Sequence, residues 1–139
     1  MANFKILSAM DYDPCLKLRI QNTGKVGFGE DAARGLKLSE ETYMKFMQDD
    51  MTPPQLYLTV LRSKDKDAFQ VKRSGKYYYM TTTKLFDSLG IDYKTQTVFL
   101  EMVRLNQYDD EMGGEVYRLD TRIKTKKDDN EDIQEDITE

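Results

Sequence analysis

The chain has 139 residues, of which 39% are hydrophobic and 33% charged, with one cysteine and no histidine. This size suits one domain with a core of its own, no apolar run is long enough to span a bilayer, and a single cysteine excludes an internal disulfide. The N-terminal residues also lack the features of an export signal, so we expect a cytoplasmic protein with no membrane partner.

The net charge of -4 is unevenly distributed along the chain. Residues 124–139 contain three lysines and seven acidic residues, which leaves 18 residues of each sign in the rest of the chain. A segment so acidic and so poor in apolar residues cannot offset the entropy cost of ordering. We therefore expect residues 124–139 to form a disordered acidic tail on a neutral body.

Residues 15–62 predict a hairpin, a short helix and a second hairpin. Leu16, Leu18 and Ile20 alternate with polar residues, as in a strand with one buried face. Gly24 supplies the positive φ that a tight turn needs. The elements that follow are a return strand over 26–28, a helix over 30–36 with acidic residues in its first turn, and strands over 43–47 and 56–61.

Residues 68–123 predict the same order of elements. Phe69 and Val71 begin a strand, Gly75 makes the turn, and Thr81 or Thr82 is the expected N-cap of a second helix. The elements that follow are a strand over 77–80, a helix ending at Leu89, and strands over 98–104 and 115–123, separated by a loop over 106–114.

The two halves also match at individual residues. Gly24-Lys25 is matched by Gly75-Lys76, 51 residues later, and Phe46 is matched by Phe99, 53 residues later. Helices this short are unstable in isolation, so the two halves must share a core. We predict a β-rich α+β fold in which residues 1–123 form a single domain of two ββαββ repeats, 15–62 and 68–123, around one β-barrel-like core.

The first half resembles a known type of repeat. Gly24-Lys25-Val26, a short helix ending in Leu36-Lys37-Leu38, and a strand with Tyr43 and Phe46 are similar to the swapped-hairpin repeat of the AbrB/MazE family. Leu89-Gly90-Ile91 continues the likeness in the second half. The resemblance implies an interlaced barrel of two copies, here in tandem as in MraZ-like proteins, and DNA binding by basic residues of the first hairpin and helix.

A second way of dividing the elements is also open. From Tyr43 to Leu89 the predicted order is four strands and then a helix. This order is similar to that of the whirly and PUR-type proteins, and the resemblance implies binding of single-stranded nucleic acid.

No catalytic motif accompanies either architecture. Without histidine, the chain lacks the side chain that most often moves protons near neutral pH and a common zinc ligand. The acidic runs at 109–111 and 128–132 lack the ligand spacing and central glycine of a calcium loop. We therefore expect a non-enzymatic protein that binds no metal and no cofactor.

The candidate binding surface is cationic and aromatic. If Tyr77 and Tyr79 face the core together with the apolar residues of the first hairpin, strand alternation sends the intervening residues to the opposite face. Cations on such a face neutralise phosphates, and an aromatic ring stacks on a base. The predicted nucleic-acid-binding residues are Lys17, Arg19, Lys25, Lys72, Arg73 and Lys76 for phosphates and Tyr78 for stacking.

Two functions stay open on this sequence. The first is a nucleic-acid-binding protein with a DNA or RNA partner, a candidate transcriptional regulator whose acidic tail competes for the cationic face. The second is a protein-interaction or assembly module, with Tyr78, Tyr57, Met44 and Met51 as an apolar binding surface. A homo-oligomer is compatible with both, and a merely solvated sheet face is the alternative to both.

Overall fold

A computed structural model describes residues 2–7 and 16–125 of the chain. Residues 126–139, which hold nearly all of the predicted acidic tail, lie outside the described residues. The final strand continues through Lys124 and Thr125, two residues past its predicted end. The tail therefore cannot begin at residue 124.

The protein consists of nine strands and a few short helical segments within the described residues. The strands are β1 (Lys17–Ile20), β2 (Val26–Phe28), β3 (Tyr43–Gln48), β4 (Leu56–Leu61), β5 (Phe69–Gln70), β6 (Lys72–Ser74), β7 (Tyr77–Met80), β8 (Gln96–Arg104) and β9 (Glu115–Thr125). The helices are α1 (Glu30–Gly35), α2 (Thr83–Ser88) and α3 (Asp109–Met112), the last preceded by a 3-10 turn at Asn106–Tyr108. No helix in the described part is long and apolar enough to cross a membrane.

The strands form one antiparallel sheet in the order β5-β3-β4-β9-β8-β1-β2-β7-β6. β5 and β6 lie at opposite ends of this order, yet they are consecutive in the chain with Val71 between them. The Val71 N–H donates to the Thr42 carbonyl at 2.9 Å, and its side chain is fully buried. The sheet therefore bends round into a nearly closed barrel, which confirms the predicted β-rich, barrel-like fold.

The two halves of the chain interlock through their strand pairings. β1–β2 and β3–β4 are hairpins in the first half, and β6–β7 and β8–β9 are hairpins in the second. Four pairings join the two halves: β1 with β8, β3 with β5, β2 with β7, and β4 with β9. If β1, β2, β3 and β4 are exchanged with β5–β6, β7, β8 and β9, respectively, the set of pairings stays the same. Neither half has a complete sheet of its own.

The core is built from both halves. Phe86 of α2 is fully buried, and its ring lies edge-on to Phe46 of β3 with centroids 5.9 Å apart. Phe46 makes a second edge contact with Phe69, at 5.6 Å. Such aromatic pairs stabilise a fold by more than their buried area alone, and here they hold α2 against β3.

The helices α1 and α2 end in the same way. Lys37, with φ 53°, and Gly90, with φ 72°, take the left-handed conformation just after each helix. Leu38 and Ile91, the next residues, donate their N–H groups to the carbonyl five residues earlier, at 3.0 and 3.1 Å. This is the Schellman ending, which satisfies carbonyls that a helix end leaves free.

Thr82 occupies the N-cap position of α2, as predicted, but its hydroxyl does not cap the helix. Instead, Thr82 Oγ1 donates to the Gly24 carbonyl at 2.9 Å, and Thr83 Oγ1 donates to the Thr23 carbonyl at 2.7 Å. The first hairpin turn is thus tied to the second helix. The segment 106–114, which was predicted to be a loop, contains the 3-10 turn and α3.

Candidate functional site

A broad groove of about 1360 Å³ opens on the outer side of the sheet. Its floor comes from β1, β2 and β8, and its walls come from α1 and from the turn between β6 and β7. Positive side chains predominate along it, and we call it the cationic groove. Its cations are Lys17, Arg19, Arg34, Lys37 and Lys76, against the single carboxylate of Glu30.

The lysines of the cationic groove are available to a ligand. Lys17, Lys37 and Lys76 are exposed, and their side chains form no ion pair with a carboxylate of the described residues. Arg34 pairs with Asp31 at 3.0 Å, but both side chains are more than 60% exposed. A pair so exposed is weak, so Arg34 can exchange it for a ligand anion.

Four of the seven predicted site residues line this groove: Lys17, Arg19, Lys76 and Tyr78. The other three, Lys25, Lys72 and Arg73, lie outside it. The Lys25 Nζ sits 5.4 Å from the centroid of the Tyr79 ring, and Lys72 is the register partner of Tyr79 on the neighbouring strand. Arg73 donates through Nε to the Gly75 carbonyl at 2.7 Å, at its own turn.

The predicted orientation of β7 was wrong. Tyr79 is the register partner of Gly27, and Gly27 is that of Arg19, so Tyr79 shares the outer face with Arg19. Tyr77, two residues away, lies on the same face. Tyr78 instead pairs with Phe28 and packs against the core, although it also reaches the groove. The outer-face rings of β7 are therefore those of Tyr77, which is exposed, and Tyr79, which is half-buried.

Aromatic rings and cations alternate across the outer face of the sheet. The Arg19 guanidinium lies 5.7 Å from the centroid of the Phe99 ring, within cation–π range. On the other side of Arg19, a Cβ on Gly27 would collide with the Tyr77 hydroxyl, so this glycine makes room for the ring. Phe99, Arg19 and Tyr77 thus form a continuous strip in the groove, and we call it the aromatic strip.

The acidic side chains of the sheet border the groove rather than fill it. Glu101, the register partner of Lys17, accepts a hydrogen bond from Arg122 Nε at 3.2 Å. Asp120 binds Arg118 through both oxygens, at 2.9 and 3.1 Å. The outer-face arginines of β9 are therefore paired with carboxylates, and they do not extend the cationic groove.

Two further groups in the groove have unusual surroundings. Burial raises the pKa of Tyr77, although the charge of Arg19 acts in the opposite direction. Thr97, on β8 beside Phe99, is 1% exposed, and its Oγ1 has no hydrogen-bond partner among the described residues. Buried hydroxyls are nearly always hydrogen-bonded, so Thr97 is an exception among the residues that line the groove.

Sequence reasoning missed Arg34, Lys37, Tyr77, Thr97 and Phe99 as groove residues. A signal for Tyr77 was present, because a two-residue turn at Gly75-Lys76 fixes the register of the hairpin. The contributions of α1 and β8 depend instead on strand pairings between distant parts of the chain, which no local pattern reports.

The residues of the predicted apolar protein-binding surface do not form one surface. Met44 is fully buried in the core, and Met51 is 65% exposed on the loop between β3 and β4. The Tyr57 hydroxyl donates to Asp49 at 3.2 Å, and Tyr78 packs against the core on another strand. Geometry therefore does not favour this set as a binding site.

The acidic run at Asp109 has a structural use. Asp109 accepts hydrogen bonds from the Arg104 guanidinium, one of them at 2.7 Å, and from the Val116 N–H at 3.3 Å. The hydrogen bond from Arg104 is the main cause that lowers the pKa of Asp109. Among the described residues, no cluster of three acidic, cysteine or histidine side chains could hold a metal ion.

Comparisons of the chain with protein-family models, curated proteins and solved structures gave no significant match. The resemblance to the swapped-hairpin family stays a prediction, and the features that bear on function are those of the groove.

Proposed function

We propose that the protein binds nucleic acid through the cationic groove and is not an enzyme. The observation that carries this proposal is convergence: Lys17 and Arg19 on β1 and Lys76 in the β6–β7 turn line one groove, although more than fifty residues separate them in the chain. The body as a whole has equal numbers of acidic and basic residues. A groove with five cations and one carboxylate is therefore a local concentration of positive charge.

The size of the groove favours a polymer over a small anion. Pockets for small molecules usually enclose about 300–1,000 Å³ and bury most of the ligand. The cationic groove is larger, at about 1360 Å³, and its positive side chains come from separate elements along it. Phosphates repeated along a nucleic acid suit several separated cations, and their binding releases counterions.

The architecture that presents the groove is, we propose, a duplicated ββαββ unit of the swapped-hairpin type. The set of strand pairings that survives exchange of the halves supports this proposal. The matching helix ends, 53 residues apart at Lys37 and Gly90, support it as well. Fold alone would not assign a function, so the binding proposal depends on the groove.

The proposal is tested by reversing charges inside and outside the groove. Binding of the full chain to a fluorescent mixed-sequence oligonucleotide is measured by anisotropy in about 50 mM salt, where phosphate contacts are strong. Lys17→Glu with Lys76→Glu should weaken binding on the order of 10- to 100-fold, because two cations are lost and two repulsive charges are gained. Circular dichroism checks that the variant is folded.

A matched control separates the groove from net charge. Lys64 and Lys66 are exposed in the connection between β4 and β5 and do not line the groove. Lys64→Glu with Lys66→Glu changes the net charge by the same amount and should leave binding nearly unchanged. Equal losses in both variants, or no binding by the original chain in low salt, would contradict the proposal.

A further inference from the structure

We infer that the cationic groove takes single-stranded nucleic acid, with an unpaired base stacked on the aromatic strip of Tyr77, Arg19 and Phe99. This inference rests on the proposed function and names the class of ligand. Cations alone would serve single and double strands equally. The feature that discriminates between them is the presence of accessible ring faces beside those cations.

The two aromatic rings of the strip line the groove beside the cations. Tyr77 is 38% exposed and Phe99 is half-buried, and both line the groove. Arg19 lies between them and contributes a planar guanidinium, which also stacks on bases. In a duplex, both faces of each base are covered by neighbouring bases, so rings of this kind are useful only to an unpaired base.

Tyr77 is packed against a second ring. Its ring lies nearly parallel to that of Tyr79, at 13° with centroids 6.1 Å apart. The ammonium group of Lys25 lies over the Tyr79 ring. Tyr77 is thus supported from one side by a stacked pair, while its hydroxyl end extends over Gly27 toward Arg19. A ring held in place in this way loses little freedom when a base stacks on it.

Thr97 has a buried hydroxyl without a hydrogen-bond partner in residues 2–7 and 16–125. It lines the same groove on the same strand as Phe99, two residues away, and its Oγ1 has no partner within the described part of the chain. A hydroxyl can donate one hydrogen bond and accept two. A small shift of the side chains that cover Thr97 would let the polar edge of an unpaired base next to Phe99 supply such a partner. The Watson–Crick edge of a paired base is already engaged.

The test compares one sequence in two forms. Anisotropy is measured for a labelled oligonucleotide of about 15 nucleotides, single-stranded and then annealed to its complement, because sites of single-strand binders span about 4–16 nucleotides. We expect the full chain to bind the single strand at least about tenfold more tightly. Tyr77→Ala should weaken single-strand binding about 5- to 160-fold, the range found for one base–aromatic stack.

Matched variants separate stacking from folding. Tyr108, which is 41% exposed outside the groove, has nearly the same exposure as Tyr77, so Tyr108→Ala is the control and should bind normally. Thr97→Val keeps the shape of the side chain and should weaken single-strand binding while leaving the melting temperature unchanged or higher. Photocrosslinking of a halogenated uracil strand should label Tyr77 or Phe99, a readout that a purely structural role would not give.

The outcomes distinguish this inference from the proposed function. If the duplex binds as tightly as the single strand, or if Tyr77→Ala binds normally, the inference is wrong even where charge reversal in the groove still abolishes binding. If neither form binds, the proposed function fails with it. Tight single-strand binding that is lost in Tyr77→Ala and kept in Tyr108→Ala supports both.

Discussion

The salt dependence of binding gives a quantitative test of how many phosphates the cationic groove contacts. The perturbation is Lys17→Gln with Lys76→Gln, which removes two charges from the groove without adding repulsion. For single strands, the logarithm of the binding constant falls with the logarithm of salt at about −0.7 per neutralised phosphate. The slope therefore counts contacts directly, without knowledge of the absolute affinity.

The structure sets the expected values. Five cations line the groove, and Arg34 already shares its charge with Asp31, so four or five contacts are expected. These contacts give a slope of about −2.8 to −3.5, and affinity then falls about 50- to 130-fold between about 50 and 200 mM salt. In the double variant the slope becomes about −1.4 to −2.1, and the same change of salt costs only about 7- to 20-fold.

The assay is an anisotropy titration at several salt concentrations, with Lys64→Gln plus Lys66→Gln as the control of equal charge. The control should keep the original slope, because neither lysine lines the groove. The decisive number is the difference between the slopes, about 1.4 for two lost contacts. A groove variant with an unchanged slope would refute the assignment of Lys17 and Lys76 to phosphate contacts, whatever its affinity.

Three further predictions concern the tail and the stability of the fold. Deleting residues 128–139 should tighten binding in low salt and have little effect in high salt, because the segment carries seven acidic and no basic residues and is expected to compete with nucleic acid for the groove; a deletion variant that matches the affinity of the full chain at every salt concentration would exclude competition. Thr82→Val should lower the free energy of unfolding by about 1–3 kcal/mol in urea, since it leaves the buried Gly24 carbonyl without its donor, whereas exposed Thr81→Val should not. Burial raises the pKa of Tyr117, so its contribution to stability is complete below about pH 10 and is lost as the pH rises further; Tyr117→Phe should flatten the alkaline loss of stability, and an unchanged profile would contradict this.

Local patterns in the sequence were sufficient to predict most of the elements. The alternation of Leu16, Leu18 and Ile20 with Lys17 and Arg19 predicted a strand, and the burial of β1 follows that alternation residue by residue. Patterns of this kind report which face of a strand is buried, because the side-chain period of a strand is two residues. They do not report which strand lies beside it, and that information decides where the groove forms.

The tyrosines of β7, whose faces were predicted wrongly, are placed by the register of the β6–β7 hairpin. A two-residue turn at Gly75-Lys76 makes Ser74 the partner of Tyr77 and Lys72 the partner of Tyr79. Directly paired residues lie on the same face of a sheet. The prediction of Lys72 on the outer face and Tyr79 on the inner face was therefore inconsistent. The register of the hairpin alone places the rings of Tyr77 and Tyr79 on the outer face with Lys72.

Closure of the barrel could not be predicted from the sequence in the same way. Residues 69–74 read as one strand, but the chain bends at Val71 so that β5 pairs with β3 and β6 pairs with β7. This bend joins the two ends of the sheet. β2 pairs with both β1 and β7, so the β6–β7 turn, with Lys76, lies across one strand from β1. The groove is thus a product of pairings between the two halves.

The symmetry of the pairings does not extend to the charges. The positions 53 residues after Arg34 and Lys37 hold Asp87 and Gly90, so the second half has no counterpart of these two groove cations. Asp87 is instead engaged with the Tyr93 hydroxyl at 2.5 Å. If the barrel fold alone created the groove, both halves would present the same charges. Four of the five groove cations belong to the first half and only Lys76 to the second. The positive charge is therefore a property of particular residues and not of the pairing pattern, and a variant carrying Arg34→Asp with Lys37→Gly should keep the fold while weakening binding.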